Sequence, residues 1–485
     1  MSSKFPVLLI FLLAYFEINN ISAEVHFKKG SPIVHLSDES SLSGSVRFSR
    51  DGRPYTSFVG IPYGLVPERF QRAQPFPLWK GIKPAVSPGS ICVQAQFGDG
   101  EAEYGEEDCL NLNVYVPLKN IGKKAFPVMV WIHGGGFQYG DGVGYGPKFF
   151  MDEDVILVTL NYRLGVFGFL STEDSVIPGN NGLKDQVLAL RWIRDNIAAF
   201  GGDPAQITIF GESAGACSVH YLLLSPTTDG LFKRAISQSN SATTAICFQP
   251  HPRSNAVQLA THLKCPTENS SPSEITSEEI LSCFKKLSKS ELIKAQFSYK
   301  KSWPLNYFSF YFVPTAEPEA KSDSKDIPFL TESPLDILRS KSKHLKTVPW
   351  MVGVTEDEGC SMYSGLVLKR KELEEELETK WESLIAEALH FDKYISSPEQ
   401  RQSLAEKIRE FYFGDRKISF ETRDNLTNLY SDSVISYGVY MSALATAGRG
   451  ENNPVYLYQY AYPGPLSFVR RFYDIIEEEA KSECD

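Results

Sequence analysis

After the first sixteen residues, no run of this 485-residue chain is apolar enough to cross a bilayer as a helix. A surplus of basic charge is also missing. Lys and Arg total 49 against 59 Asp and Glu, a formal net charge of −10. Such a chain has no electrostatic footprint for nucleic acid or for an anionic membrane surface, so neither is expected as a partner. There is no Cys-x-x-Cys and no Cys/His cluster, so no metal centre and no metal cofactor is expected. Internal repeats and low-complexity linkers are absent too. Histidine is scarce: there are eight, and none follows His390.

What is present is ordinary for a folded protein. Hydrophobic residues make up 42%, charged residues 22% and aromatics 12%, which excludes a disordered chain. The length allows one large domain with a sizeable core. Lys4, the apolar run Phe5 to Phe16 and the cleavage site offered by Ile21-Ser22-Ala23, with its small Ser22 and Ala23, read as a secretory signal, residues 1–23, cleaved to leave a chain beginning near Glu24. The expectation is a secreted protein with one domain over 24–485 and no membrane span once the signal is removed. Secretion permits disulfides. Of the eight cysteines, Cys92/Cys109 and Cys265/Cys283 are spaced to close loops, each contributing about 3 kcal/mol in the chain-entropy description. Spacing alone leaves the connectivity open, including that of Cys217, Cys247, Cys360 and Cys484. Cys217 reads as a small buried residue on a helix. Asn269-Ser270-Ser271 and Asn425-Leu426-Thr427 are glycosylation sequons.

The hydrophobic pattern alternates between strand and helix. Phe126 to Ile132 and Val155 to Leu160 are continuous apolar runs, as in strands buried on both faces. Leu183, Val187, Leu190, Ile193, Ile197 and Phe200 share one helical face, and Gly201-Gly202 ends that helix. Ile207 to Phe210, Lys233 to Gln238, Thr347 to Val354 and Asn453 to Tyr460 supply further strands, and 366–411 reads as charged helices. The class is α/β, with a large, mostly parallel central sheet flanked by helices.

Chemistry concentrates at Gly211-Glu212-Ser213-Ala214-Gly215, after a β-branched strand and before a helix-compatible run. A serine in such a turn projects from the carboxyl edge of the sheet, and its neighbours must be small because the backbone is cramped. This is the G-x-S-x-G nucleophile elbow in its required context. His133-Gly134-Gly135-Gly136-Phe137 directly follows a strand. The N–H groups of Gly135 and Gly136, with that of Ala214, suit an oxyanion hole, in which one donor is worth roughly 3–4 kcal/mol of barrier. The loop lacks the Lys-Ser/Thr ending of a phosphate-binding P-loop. Thr355-Glu356-Asp357-Glu358-Gly359 offers a carboxylate at a strand end downstream of the serine.

Four segments together resemble the type-B carboxylesterase/cholinesterase family of α/β-hydrolases: Glu107 to Val114, His133 to Phe137, Asn161 to Gly165 with Gly179 to Gln186, and Phe200 to Gly215. The resemblance runs from about Glu24 to the last residue. It implies an α/β-hydrolase fold, hydrolysis of small carboxylic esters through an acyl-enzyme, and no cofactor. It also implies Ser213 as nucleophile, Glu358 as the acidic triad member, Gly135, Gly136 and Ala214 as the oxyanion hole, and disulfides Cys92–Cys109 and Cys265–Cys283. No tryptophan lies between Cys92 and Cys109, which disfavours a cholinesterase. Gly-Glu-Ser in place of Gly-Gln-Ser disfavours a juvenile-hormone esterase. Asn111 and Asn240 depart from the family pattern.

The resemblance further places a catalytic histidine after a Pro-Gly-Pro-Leu segment, in a Gly-x-x-His context. Pro463-Gly464-Pro465-Leu466 is present, but no histidine follows it. His133 belongs to the glycine loop, His220 reads as a packed residue on the helix after the elbow, and His390 as solvent-facing. The expectation is that the catalytic histidine and the last part of the fold are missing from this chain. The alternative is an inactive secreted ligand-binding or cell-surface interaction homologue.

Overall fold

The computed structural model describes residues 31–462, apart from 37–38, 97–102, 119–124, 268–270, 301–302, 304–309, 321–326, 341–347 and 448–452. The expected signal segment, Asn269 and Cys484 therefore lie outside the described residues.

Nine strands form the central sheet: β1 (Ser45–Phe48), β2 (Pro54–Pro62), β3 (Asn111–Pro117), β4 (Phe126–Ile132), β5 (Ile156–Leu160), β6 (Gly202–Glu212), β7 (Arg234–Gln238), β8 (Trp350–Thr355) and β9 (Val455–Tyr460). Their spatial order is β9-β8-β7-β6-β4-β5-β3-β2-β1. From β5 to β9 every pairing is parallel. The other end is antiparallel: β5 to β3, β3 to β2 and β2 to β1. The sheet is thus mostly parallel, with an antiparallel end built from the strand-rich first part of the chain.

Side-chain alternation explains the continuous apolar runs. Val128, Val130 and Ile132 of β4, Ile156, Val158 and Leu160 of β5, and Ile207 and Ile209 of β6 enter the main core. Their neighbours Trp131, Leu157 and Phe210 point the other way, into a second cluster with Tyr55, Tyr115 and Met151. Both faces are covered, so alternation does not show as an apolar/polar pattern.

Five helices frame the sheet around its carboxyl edge: α1 (Gly165–Phe169), α2 (Asn181–Asn196), α3 (Ala214–Leu224), α4 (Arg423–Tyr430) and α5 (Tyr437–Ala447). A short 3-10 turn continues α2 from Ile197 to Phe200, and Gly201 ends it at φ 83°. That left-handed conformation is the one glycine takes without strain. Residues 366–411 fold largely into four short helices, Gly365–Lys369, Lys371–Thr379, Trp381–Ala388 and Pro398–Tyr412. Trp350 on β8 is fully buried. Its indole N–H donates to Ser237 Oγ at 3.1 Å, and its ring stacks on His220 of α3 at 4.6 Å.

Three disulfides have both cysteines among the described residues: Cys92–Cys109, Cys217–Cys247 and Cys265–Cys283. Cys217 is therefore a tie from α3 to the chain beyond β7, and Cys360 is disulfide-bonded as well.

Trp350 locks β8, β7 and α3 together, so its removal tests this packing. Trp350→Ala should lower unfolding stability by about 3–5 kcal/mol, read as a shift of the urea midpoint at unchanged slope. A loss under about 1 kcal/mol would show that the site collapses around the gap.

Candidate active site

Ser213 stands between the last residue of β6 and the first of α3, at φ 55° and ψ −122°. A non-glycine residue is strained in such a conformation, and the strain must be over-determined by its surroundings. Here it is. Ser213 N–H donates to Gln238 O at 2.9 Å, and Ser213 O accepts from Cys217 N–H at 3.0 Å. The flanking glycines are demanded by contact rather than by flexibility. A Cβ on Gly211 would lie 2.6 Å from Ile132 O, and one on Gly215 would lie 2.0 Å from the same oxygen. No side chain fits either place.

Strand register assembles the rest. Ile132 lies opposite Gly211, so the glycine loop after β4 faces the elbow after β6. Gln238 lies opposite both Glu212 and Gly353, which brings the ends of β7 and β8 alongside. The site is therefore at the carboxyl edge of the parallel strands, where open α/β sheets bind ligands. Gly134 packs against the elbow: a Cβ there would lie 2.7 Å from Glu212 Oε2 and 3.1 Å from Ser213 Cβ. Gly135 and Gly136 take φ 99° and 63°. Among the described residues, the N–H groups of Gly135, Gly136 and Ala214 have no protein acceptor, nor does the Ser213 hydroxyl have a partner. The start of α3 adds the positive end of a helix dipole.

Glu358 follows β8. Its Oε1 accepts from Thr355 N–H at 2.7 Å, and the Ser239 hydroxyl also bonds its carboxylate. Burial raises its pKa, against the lowering by those hydrogen bonds. Glu212 carries no signal of its own in the sequence as a site residue. Burial, and then the negative charge of Glu358, push its carboxyl up to about 7. Two carboxyl groups thus share the pocket beside the serine. Only the sheet register reveals this, because the two residues are far apart in the chain.

The histidines fall in separate places. His133 is fully buried, its Nδ1 2.9 Å from Gly134 O and its ring stacked on Tyr162 at 4.4 Å. Burial pushes it down to about 4. His220 accepts from Ala242 N–H at Nδ1, 3.1 Å, and burial pushes it down to about 3. His390 differs from expectation: it is buried rather than solvent-facing, edge-on to Phe310 at 5.4 Å. The surrounding charged helices fold over it. His35 and His262 bond Ser41 and Ser298, and His251 precedes the helix Pro252–His262. His26 and His344 lie outside the described residues.

Of the other departures, Asn111 donates to Ser90 O and Cys109 O, and Asn240 accepts from Thr244 at 2.6 Å. Both are scaffold contacts. The sequon at Asn425 sits in α4, where its amide donates to Tyr412 O at 2.8 Å.

Comparison with known proteins agrees with this geometry. A model of the carboxylesterase family matches residues 30–477. Esterase FE4 of Myzus persicae is 40% identical over 441 residues, covering 89% of this chain and 74% of that protein. A juvenile hormone esterase of Tribolium castaneum is 36% identical over 490 residues, covering 97% and 79%. The crystal structure of juvenile hormone esterase from Manduca sexta, with OTFP covalently attached, superposes with a TM-score of 0.75. It is 28% identical and covers 91% of this chain and 80% of that one.

The geometry can be tested at two residues. Gly215→Ala forces a methyl onto the Ile132 carbonyl and should cost 4 kcal/mol or more, roughly the level that marks a named steric fault; urea unfolding measures it. Glu212 has a folded pKa raised from 4.5 to about 7, so the folded form binds its proton more tightly than the unfolded one. Its contribution is full below the unfolded value and is lost as pH rises through about 7. Glu212→Gln should therefore gain melting temperature relative to the parent between about pH 5 and about pH 8. A difference that does not change with pH would mean that Glu212 is not strained by its charge.

Proposed function

We propose that this chain, a member of the carboxylesterase family, hydrolyses small carboxylic esters through Ser213. The Ser213 oxygen attacks the ester carbonyl carbon as its hydroxyl proton passes to a base, the role added imidazole fills in the test below, and the same base returns that proton to the leaving alcohol. The negative oxygen that forms lies against the N–H groups of Gly135, Gly136 and Ala214, each worth roughly 3–4 kcal/mol of barrier. The tetrahedral intermediate collapses, the alcohol leaves with a proton, and the acyl group stays on Ser213. Water then attacks the acyl-enzyme and releases the acid. Glu358 is the carboxylate placed to orient an imidazole base beside Ser213 and to balance its charge once protonated, a base that has to come from outside the eight histidines of this chain.

The observation that supports this reading is the strained Ser213, facing a glycine loop whose amides have no protein acceptor. It favours hydrolysis over the binding-only alternative, since a pure binding pocket has no use for a strained serine. We also propose that none of the eight histidines is the base. His133 and His220 are held in the core by their ring stacks and hydrogen bonds, and burial keeps them neutral at lower pH than an ordinary imidazole. The three disulfides and the N-terminal signal pattern support secretion. No helix among the described residues is long and apolar enough to cross a membrane.

The test is phosphonylation of the 485-residue chain by a fluorophosphonate, with mass mapping of the adduct with and without added imidazole. Lack of the triad base costs on the order of 10⁶ in rate, so labelling should be slow alone. Imidazole should speed it at least about tenfold by standing in as the base, and the adduct should map to Ser213 and vanish in Ser213→Ala. Rapid labelling without imidazole would show that one of the eight histidines is the base. Labelling elsewhere would remove Ser213 as the nucleophile.

A further inference from the structure

A second cleft lies away from Ser213, under the loop closed by Cys92–Cys109. Its walls are Leu65, Val66, Phe70, Val93, Leu110 and Phe167, with the disulfide itself as part of the roof. Its cavity volume is about 210 Å³, room for a small molecule below drug size. No residue of the glycine loop, the elbow or the Glu358 loop lines it.

The polar groups in its walls define what it can take. Arg69 is paired with Glu107. Its Nε and Nη2 donate to the two oxygens of Glu107 at 2.9 and 2.5 Å, and its Nη1 to Phe284 O and Leu287 O at 2.8 and 2.6 Å. The guanidinium also lies over the Phe167 ring at 5.4 Å. Arg163 is paired with both oxygens of Asp185 at 2.8 and 2.7 Å and also donates to Gln71 O at 2.6 Å. Each cation is thus already paired with a carboxylate, Arg69 with Glu107 and Arg163 with Asp185. The rim carries Glu106, Glu107 and Asp108. Glu106 is paired with Lys289 at 2.8 Å and Glu107 with Arg69, whereas Asp108 is exposed and has no partner among the described residues. An anion would meet an unbalanced negative charge at the mouth and no free cation inside.

We propose that this cleft is a second ligand site, which takes a small uncharged apolar molecule and disfavours anions. Its floor is braced: Phe70 stacks on Phe167 with ring centres 6.3 Å apart, and the disulfide fixes the loop above. A braced apolar cleft binds without the entropic cost of ordering its walls. The site also touches the frame of the catalytic loop. Gly165 N–H, in the same helix as Phe167, donates to Phe137 O at 2.7 Å, and Gln94 of the disulfide loop exchanges hydrogen bonds with Gly140 at 2.9 and 3.0 Å.

Binding can be read without any hydrolysis, so this proposal stands or falls apart from the esterase reading. The probe is the neutral dye N-phenyl-1-naphthylamine, titrated into the 485-residue chain by fluorescence, with its sulfonated relative 1-anilinonaphthalene-8-sulfonate as the anionic comparison. Leu65 is 40% exposed at the mouth, so Leu65→Trp fills the cleft from its open side. It should weaken the neutral dye at least about tenfold. Leu444→Lys, on an exposed apolar face of α5, should leave binding unchanged. The sulfonate should not displace the neutral dye from the parent chain, and Asp108→Lys should strengthen sulfonate binding about fivefold. Equal dye binding by Leu65→Trp, or loss of binding in Leu444→Lys, would overturn the site. Displacement of the dye by the sulfonate from the parent chain, or no gain in Asp108→Lys, would overturn its charge selectivity.

Discussion

The approach of the Gly215 backbone to the Ile132 carbonyl is the contact on which the site depends. At that distance the strand ending at Glu212 and the helix beginning at Ala214 share one crowded corner with the neighbouring strand β4. The crowding leaves Ser213 a single backbone conformation, with positive φ. It also sets the glycine loop against the elbow, because the residue after Ile132 starts that loop. One steric constraint thus positions the nucleophile and the amides that face it, and small residues at 211 and 215 are its direct consequence.

Electrostatics then divides the pocket. On one side stand the free amides and the start of α3, which favour a negative oxygen. On the other stand two acidic side chains. Glu358 is held by hydrogen bonds from Thr355 and Ser239, which stabilise its charged form. Glu212 has burial and Glu358 against it, and so keeps its proton to a higher pH. Burial raises both carboxyls, but hydrogen bonds to the charged form offset it at Glu358, whereas at Glu212 the charge of Glu358 adds to it. A buried carboxyl beside the serine that stays neutral does not oppose an anionic intermediate, whereas an ionised one would.

Other motif residues turn out to hold the scaffold rather than do chemistry. Asn161 accepts from Gly142 N–H, Arg163 forks onto Asp185, and Lys184 pairs with the buried Glu317 at 2.7 Å. Asn180 bonds both Glu317 and the Thr315 backbone. Each of these buried charges is paired and further hydrogen-bonded, the condition under which charge is tolerated in a core. They clamp α2 and the segment after β5 around the sheet, and so keep the glycine loop opposite the elbow. The motif that identifies the family is thus in large part a record of how its site is braced.

The local pattern alone was enough for the elbow, the glycine loop, the apolar strands and the long helix α2, because each depends on neighbours within a few residues. A strand, a cramped turn and a helix start leave their marks in consecutive side chains. Glu358 became a candidate from its place after a strand, but what surrounds it was invisible. Its coupling to Glu212, the burial of His390 and the Cys217–Cys247 tie all join segments that are remote in the chain. The antiparallel end of the sheet and the cleft under the Cys92–Cys109 loop are of the same kind. Distance along the chain carries no information about distance in space until strand register is set, and register is decided by packing on both faces of the sheet at once. The residue types of the chemistry were therefore written in the sequence, while their charges and partners were decided only by the tertiary structure.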